Sequence, residues 1–136
     1  MIFPLPDLDE PLTGGFWHAA ARDLLAFPQC ASCERFCWYP EPRCPACGGP
    51  DLPWTEVRPA GTLYSWSVVH HAFLPAFAAQ VPFVAAVAAI DSAPGVRLVS
   101  RLLGGDPAMD APVRVEFGWL RLGEDRVRAP FLRRVP

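Results

Sequence analysis

The second half of the chain alternates hydrophobic and polar positions in short segments that are separated by turn residues. The first segment, TLYSWSVVHH, follows Gly61 and places aromatic or aliphatic side chains at every second position. A period of two predicts β-strands. Further strands are predicted over residues 83–91, 96–103, 113–122 and 126–133. The first of these is an unbroken apolar run that could also be helical, but Phe, Val and Ile near its ends and Pro82 before it favour a strand. Five short antiparallel strands predict a partly open Greek-key barrel of the OB type.

Residues 16–27 follow the helical period instead. Their apolar side chains recur every three or four positions, which predicts an amphipathic helix that ends at Pro28. The positions concerned are Phe16, Ala20, Leu24 and Phe27. Such a short helix needs a surface to lie on, either in its own domain or on a partner. Residues 1–13 contain several prolines and acidic side chains, so we expect an extended arm that is solvated or docks a partner.

Length and composition indicate a small, mainly β protein. With 136 residues, 51% of them hydrophobic, the chain can form one domain, or one domain with a metal-bound appendage. We divide it into the arm and helix (1–26), a metal-binding ribbon (27–53) and the barrel (54–136). The longest apolar run, residues 81–90, is too short to span a membrane, so no membrane association is expected.

The charged residues exclude some functions. The net charge is −2, and all 12 basic residues are arginines. A chain without lysine has neither a Schiff-base lysine nor the phosphate-binding lysine of a P-loop. The acidic balance also argues against nucleic-acid binding, which normally needs a basic domain.

Four cysteines carry the clearest chemical signal. Cys30 and Cys33 form one C-x-x-C pair, and Cys44 and Cys47 form a second pair after ten intervening residues. This spacing is typical of a ribbon that holds one structural zinc ion through four thiolates, with no position left for water or substrate. The alternative is a disulfide framework. We expect metal because no signal peptide precedes the pairs, which indicates a reducing cytoplasmic location.

The loop between the two pairs holds a fifth cysteine and several aromatic residues. We interpret Cys37 as a small apolar residue packed beside the ribbon; a substitute ligand or reactive thiol is the alternative. Trp38 and Tyr39 either form a small core around the metal or present a recognition surface.

Catalytic signals are sparse. His70 and His71 end the first predicted strand, where adjacent side chains face opposite sides. One packed and one solvated histidine is the plain interpretation, and a histidine beside an acyl thioester or a partner's active site is the alternative. The sequence has no G-x-S-x-G elbow and no dinucleotide fingerprint. We therefore expect no catalysis by this chain alone.

Residues 72–82 are unusually apolar for a loop between strands. Phe73, Leu74 and Phe77 need cover, so this segment either caps the barrel or contributes to a partner interface or an acyl-chain channel. Arginines near the C-terminus either contact the phosphates of coenzyme A or pair with acidic side chains such as Glu116. These arginines are Arg121, Arg126, Arg128, Arg133 and Arg134.

In combination, the segments FWHAA, CASC, PEPRCPACG, AGTLYSWSVVH, VPFVAAV, VRLVSRL and APVRVEF resemble the rubredoxin-like zinc-ribbon plus OB-fold proteins associated with acyl-CoA metabolism. The similarity extends over residues 15–131. Two turns depart from the family pattern, because Pro59 replaces the first glycine of G-x-G-T and Asp110 stands where glycine is common.

This resemblance implies an accessory subunit. Members of the family accompany thiolase-superfamily enzymes, including acyl-CoA thiolases and the lipid-transfer-protein-type aldolases that shorten steroid side chains. The partner would carry the catalytic groups and hold most of the acyl-CoA, in steroid or other lipid or aromatic acyl-CoA degradation. The expected contact residues are Trp38, Tyr39, His70, His71, Phe73, Leu74 and Phe77.

Two other functions stay open. One is a single-stranded nucleic-acid-binding module in which Tyr64, Trp66 and Phe117 stack on bases. The other is a free-standing acyl-CoA-binding scaffold with no obligate enzyme.

Overall fold

The computed structural model describes residues 5–136, so residues 1–4 of the predicted arm lie outside the described residues. The elements are α1 (Gly14–Ala20), β1 (Leu25–Pro28), β2 (Trp54–Val57), β3 (Ala60–Val69), a 3₁₀ helix (Pro75–Phe77), β4 (Phe83–Ile90), β5 (Arg97–Leu102), β6 (Pro112–Leu122) and β7 (Asp125–Arg134). Among the described residues, no helix is long and apolar enough to cross a bilayer.

Strands β3 to β7 form a closed barrel in the order β3-β4-β5-β7-β6. Neighbouring strands are antiparallel except β5 and β7, which pair in parallel through Leu102 and Leu132. The predicted five-stranded OB-type barrel is therefore confirmed. The bounds of four strands agree with the prediction to within one residue, whereas β3 begins and ends two residues earlier than predicted. The barrel is closed rather than partly open because the first residues of β3 also pair with β6, with Ala60 opposite Arg114.

The barrel core is formed by side chains at alternate positions of the strands. In β4, Ala86, Ala88 and Ile90 are buried while the residues between them are only half-buried. Leu63 and Leu132 are fully buried on other strands of the same core. Small alanines on β4 leave room for these larger aliphatic side chains, as close packing in a small barrel requires.

The N-terminal helix is much shorter than predicted. It ends at Ala20, and Asp23 has a positive φ of 57°, a conformation that an α-helix cannot contain. Phe27 is buried as expected but belongs to a strand, and Leu25 is buried in place of the predicted Leu24, which is half-buried. All four residues of β1 are buried, so its sequence has no period of two and was open to a helical interpretation.

The predicted extended arm is also different from the structure. Residues 5–13 contain turns, and the carboxylate of Glu10 accepts hydrogen bonds from the backbone N–H groups of Leu12 at 2.9 Å and Thr13 at 2.8 Å. A local side-chain acceptor of this kind satisfies backbone donors that a solvated, extended chain would leave to water.

A two-stranded sheet connects the helix with the metal-binding segment. Strands β1 and β2 pair antiparallel, with Pro28 opposite Trp54, and the four cysteines of the two C-x-x-C pairs lie in the chain between them. Phe27 of β1 packs against Phe16 of α1 and Trp38, with ring centroids 6.0 and 5.0 Å away. This aromatic cluster holds the helix against the cysteine-bearing segment.

Candidate metal centre and adjoining groove

The four predicted ligand cysteines come together in one cluster. Their sulfur atoms all lie within 4.8 Å of one another. The Sγ atoms of Cys30 and Cys47 are 3.6 Å apart, and so are those of Cys33 and Cys44. A tetrahedral ion about 2.3 Å from each sulfur requires sulfur–sulfur distances of about 3.8 Å. The arrangement therefore fits a single four-coordinate metal ion.

The backbone around the cluster is shaped for close approach to sulfur. Gly48 has a φ of 78°, which favours glycine. A Cβ atom on Gly49 would lie 3.1 Å from Sγ of Cys30, so a larger residue would crowd the ligand. The turn that holds Cys30 is closed by a 2.9 Å hydrogen bond from the N–H of Glu34 to the Cys30 carbonyl. These features are those expected of a chain that folds around an ion.

The cluster also favours thiolates at some of its positions. The backbone N–H of Cys33 donates to Sγ of Cys30, and this donor lowers the pKa of Cys30 to about 6. The N–H of Cys47 lowers the pKa of Cys44 in the same way. At Cys47 the N–H of Gly49 favours the thiolate, but the neighbouring sulfurs outweigh it and raise the pKa to about 11. A cation bound between the sulfurs would favour the thiolate at all four positions.

Cys37 lies outside the four-sulfur cluster. It is buried, and burial raises the pKa of its thiol. Its Sγ donates weakly to the carbonyl oxygen of Tyr39 at 3.6 Å. These surroundings support the interpretation of Cys37 as a packing residue rather than as a ligand or nucleophile.

A groove that the sequence did not indicate lies between α1, the ribbon loop and the barrel wall. Its volume is about 540 Å³. Its walls are mostly apolar and include Phe16, Trp17, Trp38, Tyr39, Val99 and Phe131. Of the predicted contact residues, Trp38 and Tyr39 lie here, and Tyr39 is 68% exposed.

Comparison with known proteins agrees with this ribbon-and-barrel arrangement. A family model described as the C-terminal OB-fold domain of ChsH2 matches residues 54–118. The solved structure named Ltp2-ChsH2(DUF35) aldolase is 30% identical, has a TM-score of 0.77, and covers 95% of this chain and 98% of that chain. This chain belongs to the DUF35 family.

Two further proteins are similar to about three quarters of this chain. A DUF35 protein of unknown function from Sulfolobus solfataricus is 14% identical, has a TM-score of 0.57 and covers 75% of each chain, so it shares the fold. A probable enoyl-CoA hydratase alpha subunit from Thermomonospora curvata is 38% identical over 104 residues, 76% of this chain. The present DUF35 chain spans only 30% of that relative's length.

The two adjacent histidines are placed differently from the prediction. Strand β3 ends at Val69, so His70 and His71 lie in the following loop and strand alternation does not apply to them. Both are exposed, which contradicts the interpretation of one packed and one solvated histidine. The ring of His71 meets that of Phe73 edge-on, with centroids 4.6 Å apart.

The apolar loop of this DUF35 chain, residues 72–82, leaves the side chain of Phe73 exposed. Phe73 is 89% exposed, whereas Leu74 and Phe77 are half-buried. Phe77 lines a second cavity of about 270 Å³, which adjoins the groove because Arg101, Leu120 and Phe131 line both. The structure thus places Phe77 near the groove and leaves Phe73 pointing into solvent.

The arginines near the C-terminus pair mostly within the protein. Arg133 donates to Glu116 at 2.8 Å, and Arg128 donates to Asp23 at 2.7 Å. These two partners lower the pKa of Asp23 and contribute to the lowered pKa of Glu116. Arg126 lies over the ring of Trp119, 4.1 Å from its centroid. The pairing with Glu116 was expected, and it leaves little reason to assign this group to coenzyme A phosphates.

The aromatic residues considered for base stacking do not form an open platform. Trp66 and Phe117 are half-buried and pack against the barrel core. Tyr64 is 52% exposed, but the guanidinium of Arg97 lies over its ring at 4.4 Å. Stacking on bases needs a free aromatic face, so this surface gives no support to the nucleic-acid hypothesis.

Proposed function

We propose that this chain is a non-catalytic accessory subunit that binds and stabilises a thiolase-superfamily partner acting on acyl-CoA. The observation that carries the proposal is the likeness to the Ltp2-ChsH2(DUF35) aldolase structure, which extends over 95% of this chain at 30% identity. The hydratase alpha subunit from Thermomonospora curvata adds a second relative whose name refers to acyl-CoA chemistry. We propose that the partner catalyses retro-aldol cleavage or thiolysis in steroid or other lipid degradation, and the word aldolase in the first name supports the former.

The exposed apolar loop supplies a surface for such a partner. Phe73 is the most exposed large hydrophobic residue among residues 5–136, and aromatic side chains of this kind are enriched at protein interfaces. We propose that Phe73, Leu74 and Phe77 contact the partner. The two exposed histidines and the pair Trp38 and Tyr39 would extend the same contact toward the ribbon.

We also propose zinc as the ion in the cysteine cluster. Four thiolates at tetrahedral spacing are the ligand set that structural zinc prefers in proteins. Cys30, Cys33, Cys44 and Cys47 would hold the ion, which would fix the ribbon and leave no coordination position for a substrate. A site of this kind needs reduced thiols, so we place the protein in the cytoplasm.

The chemistry of the described residues is consistent with a supporting role. The hydroxyl of Ser100, which lines the groove, donates to the carbonyl oxygen of Pro130 at 2.6 Å and so is held away from a base. The partner would therefore hold the reacting thioester. The chain described here would supply binding surface and stability.

Capture from the native source tests the proposal. The full chain, carrying an affinity tag, is expressed in its host, and co-purifying proteins are identified and quantified by mass spectrometry. We expect a thiolase-superfamily protein in near-stoichiometric amount. Recovery of single-stranded nucleic acid, or of the chain without such a partner, would contradict the proposal.

A further inference from the structure

The groove contains one charged side chain in otherwise apolar surroundings. Arg101 lies where the 540 Å³ groove and the 270 Å³ cavity meet, since it lines both. No aspartate or glutamate lines either cavity among the described residues. The hydroxyl of Ser100, which also lines the groove, donates to the carbonyl oxygen of Pro130.

Arg101 differs from the paired arginines of this chain in lacking an anionic partner. Its guanidinium donates to the neutral side-chain oxygen of Gln80 at 2.9 Å and lies 4.2 Å from the ring centroid of Phe83. Within residues 5–136, Arg58, Arg114, Arg128 and Arg133 each have a carboxylate partner, and Arg101 has none. Arg101 is half-buried, and this burial lowers the pKa of its guanidinium.

A partly desolvated cation without a counter-ion is costly, and a bound anion would relieve that cost. The guanidinium has five N–H donors, of which the structure commits one to Gln80. The remaining donors can meet a carboxylate in the paired geometry that arginine favours. Gln80 and Phe83 would hold the side chain in place while it does so.

We propose that this groove binds a small apolar monocarboxylate, with the carboxylate on Arg101 and the apolar body along Phe16, Trp17, Trp38 and Phe131. The volume lies within the range of small-molecule sites, roughly 300–1,000 Å³. Mostly apolar walls with one orienting charge are also characteristic of such sites. A polyanion such as a nucleic acid would need several cations, and this groove offers one.

Decanoate is a suitable probe because it has one carboxylate and a flexible apolar body. Its affinity for the full, metal-containing chain would be measured by calorimetry and by the fluorescence of Trp17 and Trp38, which line the groove. Decanol is the matched uncharged ligand. We expect decanoate to bind at least about tenfold more tightly than decanol, because a charge-assisted hydrogen bond contributes that much or more.

Three variants locate the site. Arg101→Gln should weaken decanoate binding at least about tenfold. Arg97→Gln makes the same change on the same strand at an exposed arginine that lies over Tyr64, outside the groove, and should leave the affinity unchanged. Val99→Trp should block the groove from an exposed position that is 67% accessible, again without altering its charge. Far-ultraviolet circular dichroism would establish that each variant is folded.

Equal affinity for decanoate and decanol, or unchanged decanoate binding in Arg101→Gln, would overturn the proposal. The proposal would also fail if decanoate does not bind and the Val99→Trp variant no longer co-purifies with a protein partner. The groove would then be a protein interface. The proposed accessory function is independent of the decanoate measurements, because these use the chain without its partner.

Discussion

The guanidinium of Arg128 donates hydrogen bonds to both carboxylate oxygens of Asp23, at 2.7 and 3.1 Å, although the two residues are 105 positions apart in the chain. Asp23 follows the helix in a left-handed conformation, whereas Arg128 lies on β7 of the barrel. The paired contact therefore connects the N-terminal module with the barrel. Arg128 also lies 4.9 Å from the ring centroid of Trp119, which restricts its side chain.

Removing this contact should produce a pH-dependent loss of stability. Arg128 lowers the pKa of Asp23 below its ordinary value of 3.8, so the pair stabilises the fold above that value and stops doing so as the pH falls through the folded-state pKa. Asp23→Asn should therefore lower the urea midpoint near pH 7 and have less effect at about pH 3. Both midpoints would be measured by circular dichroism. An equal effect at the two pH values would contradict the assignment.

The cysteine cluster predicts a sharp difference between two cysteine variants. Cys44→Ser removes a ligand and should reduce the metal content from about one ion per chain to near zero, with loss of ordered structure in the ribbon. Cys37→Ala changes a buried cysteine outside the cluster and should keep the ion. Elemental analysis of freshly purified protein provides the measurement. Loss of metal from Cys37→Ala, or its retention in Cys44→Ser, would mean that the ligand set is wrong.

Gly61, the second residue of β3, should not tolerate a side chain. A Cβ atom at this position would collide with the backbone carbonyl of Ala89 on the paired strand β4. Gly61→Ala should therefore lower the free energy of unfolding by about 1–3 kcal/mol. Gly123 has a positive φ of 61° and nothing near its Cβ position, so Gly123→Asn should change stability little. Urea denaturation of both variants checks this, and a neutral Gly61→Ala would show that β3 and β4 are farther apart.

The exposed loop predicts a selective loss of partner binding. Phe73→Ser removes an aromatic side chain that is 89% exposed, so it should weaken the complex at least about tenfold while leaving metal content and thermal stability unchanged. Met109→Ser is the matched control, because Met109 is 62% exposed and lies in the turn before β6. Quantitative co-purification would compare the two variants. A complex retained in full by Phe73→Ser would remove this loop from the interface.

The barrel could be predicted from the sequence because its signal is local. Alternation along the start of β6, with Val113 and Val115 buried and Arg114 exposed, depends only on which side chains face the core. The cysteine cluster was predictable for a similar reason, since two close pairs limit where four sulfurs can go. The end of the helix was not predictable, because fully buried β1 lacks a strand period and Leu24 and Phe27 match helical spacing.

The groove could not be predicted because it belongs to no single segment. It forms where α1 and the ribbon loop lie against β5 and β7, so Trp17 and Arg101 share a cavity although they are far apart in the chain. The contact between Asp23 and Arg128 that joins these parts is likewise a matter of tertiary packing. Neither residue stands out in its local sequence. Charge pairing across such distances is visible only in three dimensions.

The most direct test of the accessory role is a parallel assay of acyl-CoA turnover. The protein that co-purifies with this chain, the chain itself and their complex would be assayed separately under the same conditions, with aldol cleavage and thiolysis followed by product formation. We expect no turnover by this chain alone, and we expect a more active or longer-lived partner in the complex. Turnover of a thioester by the isolated chain, or a partner that is unaffected by its presence, would contradict the account.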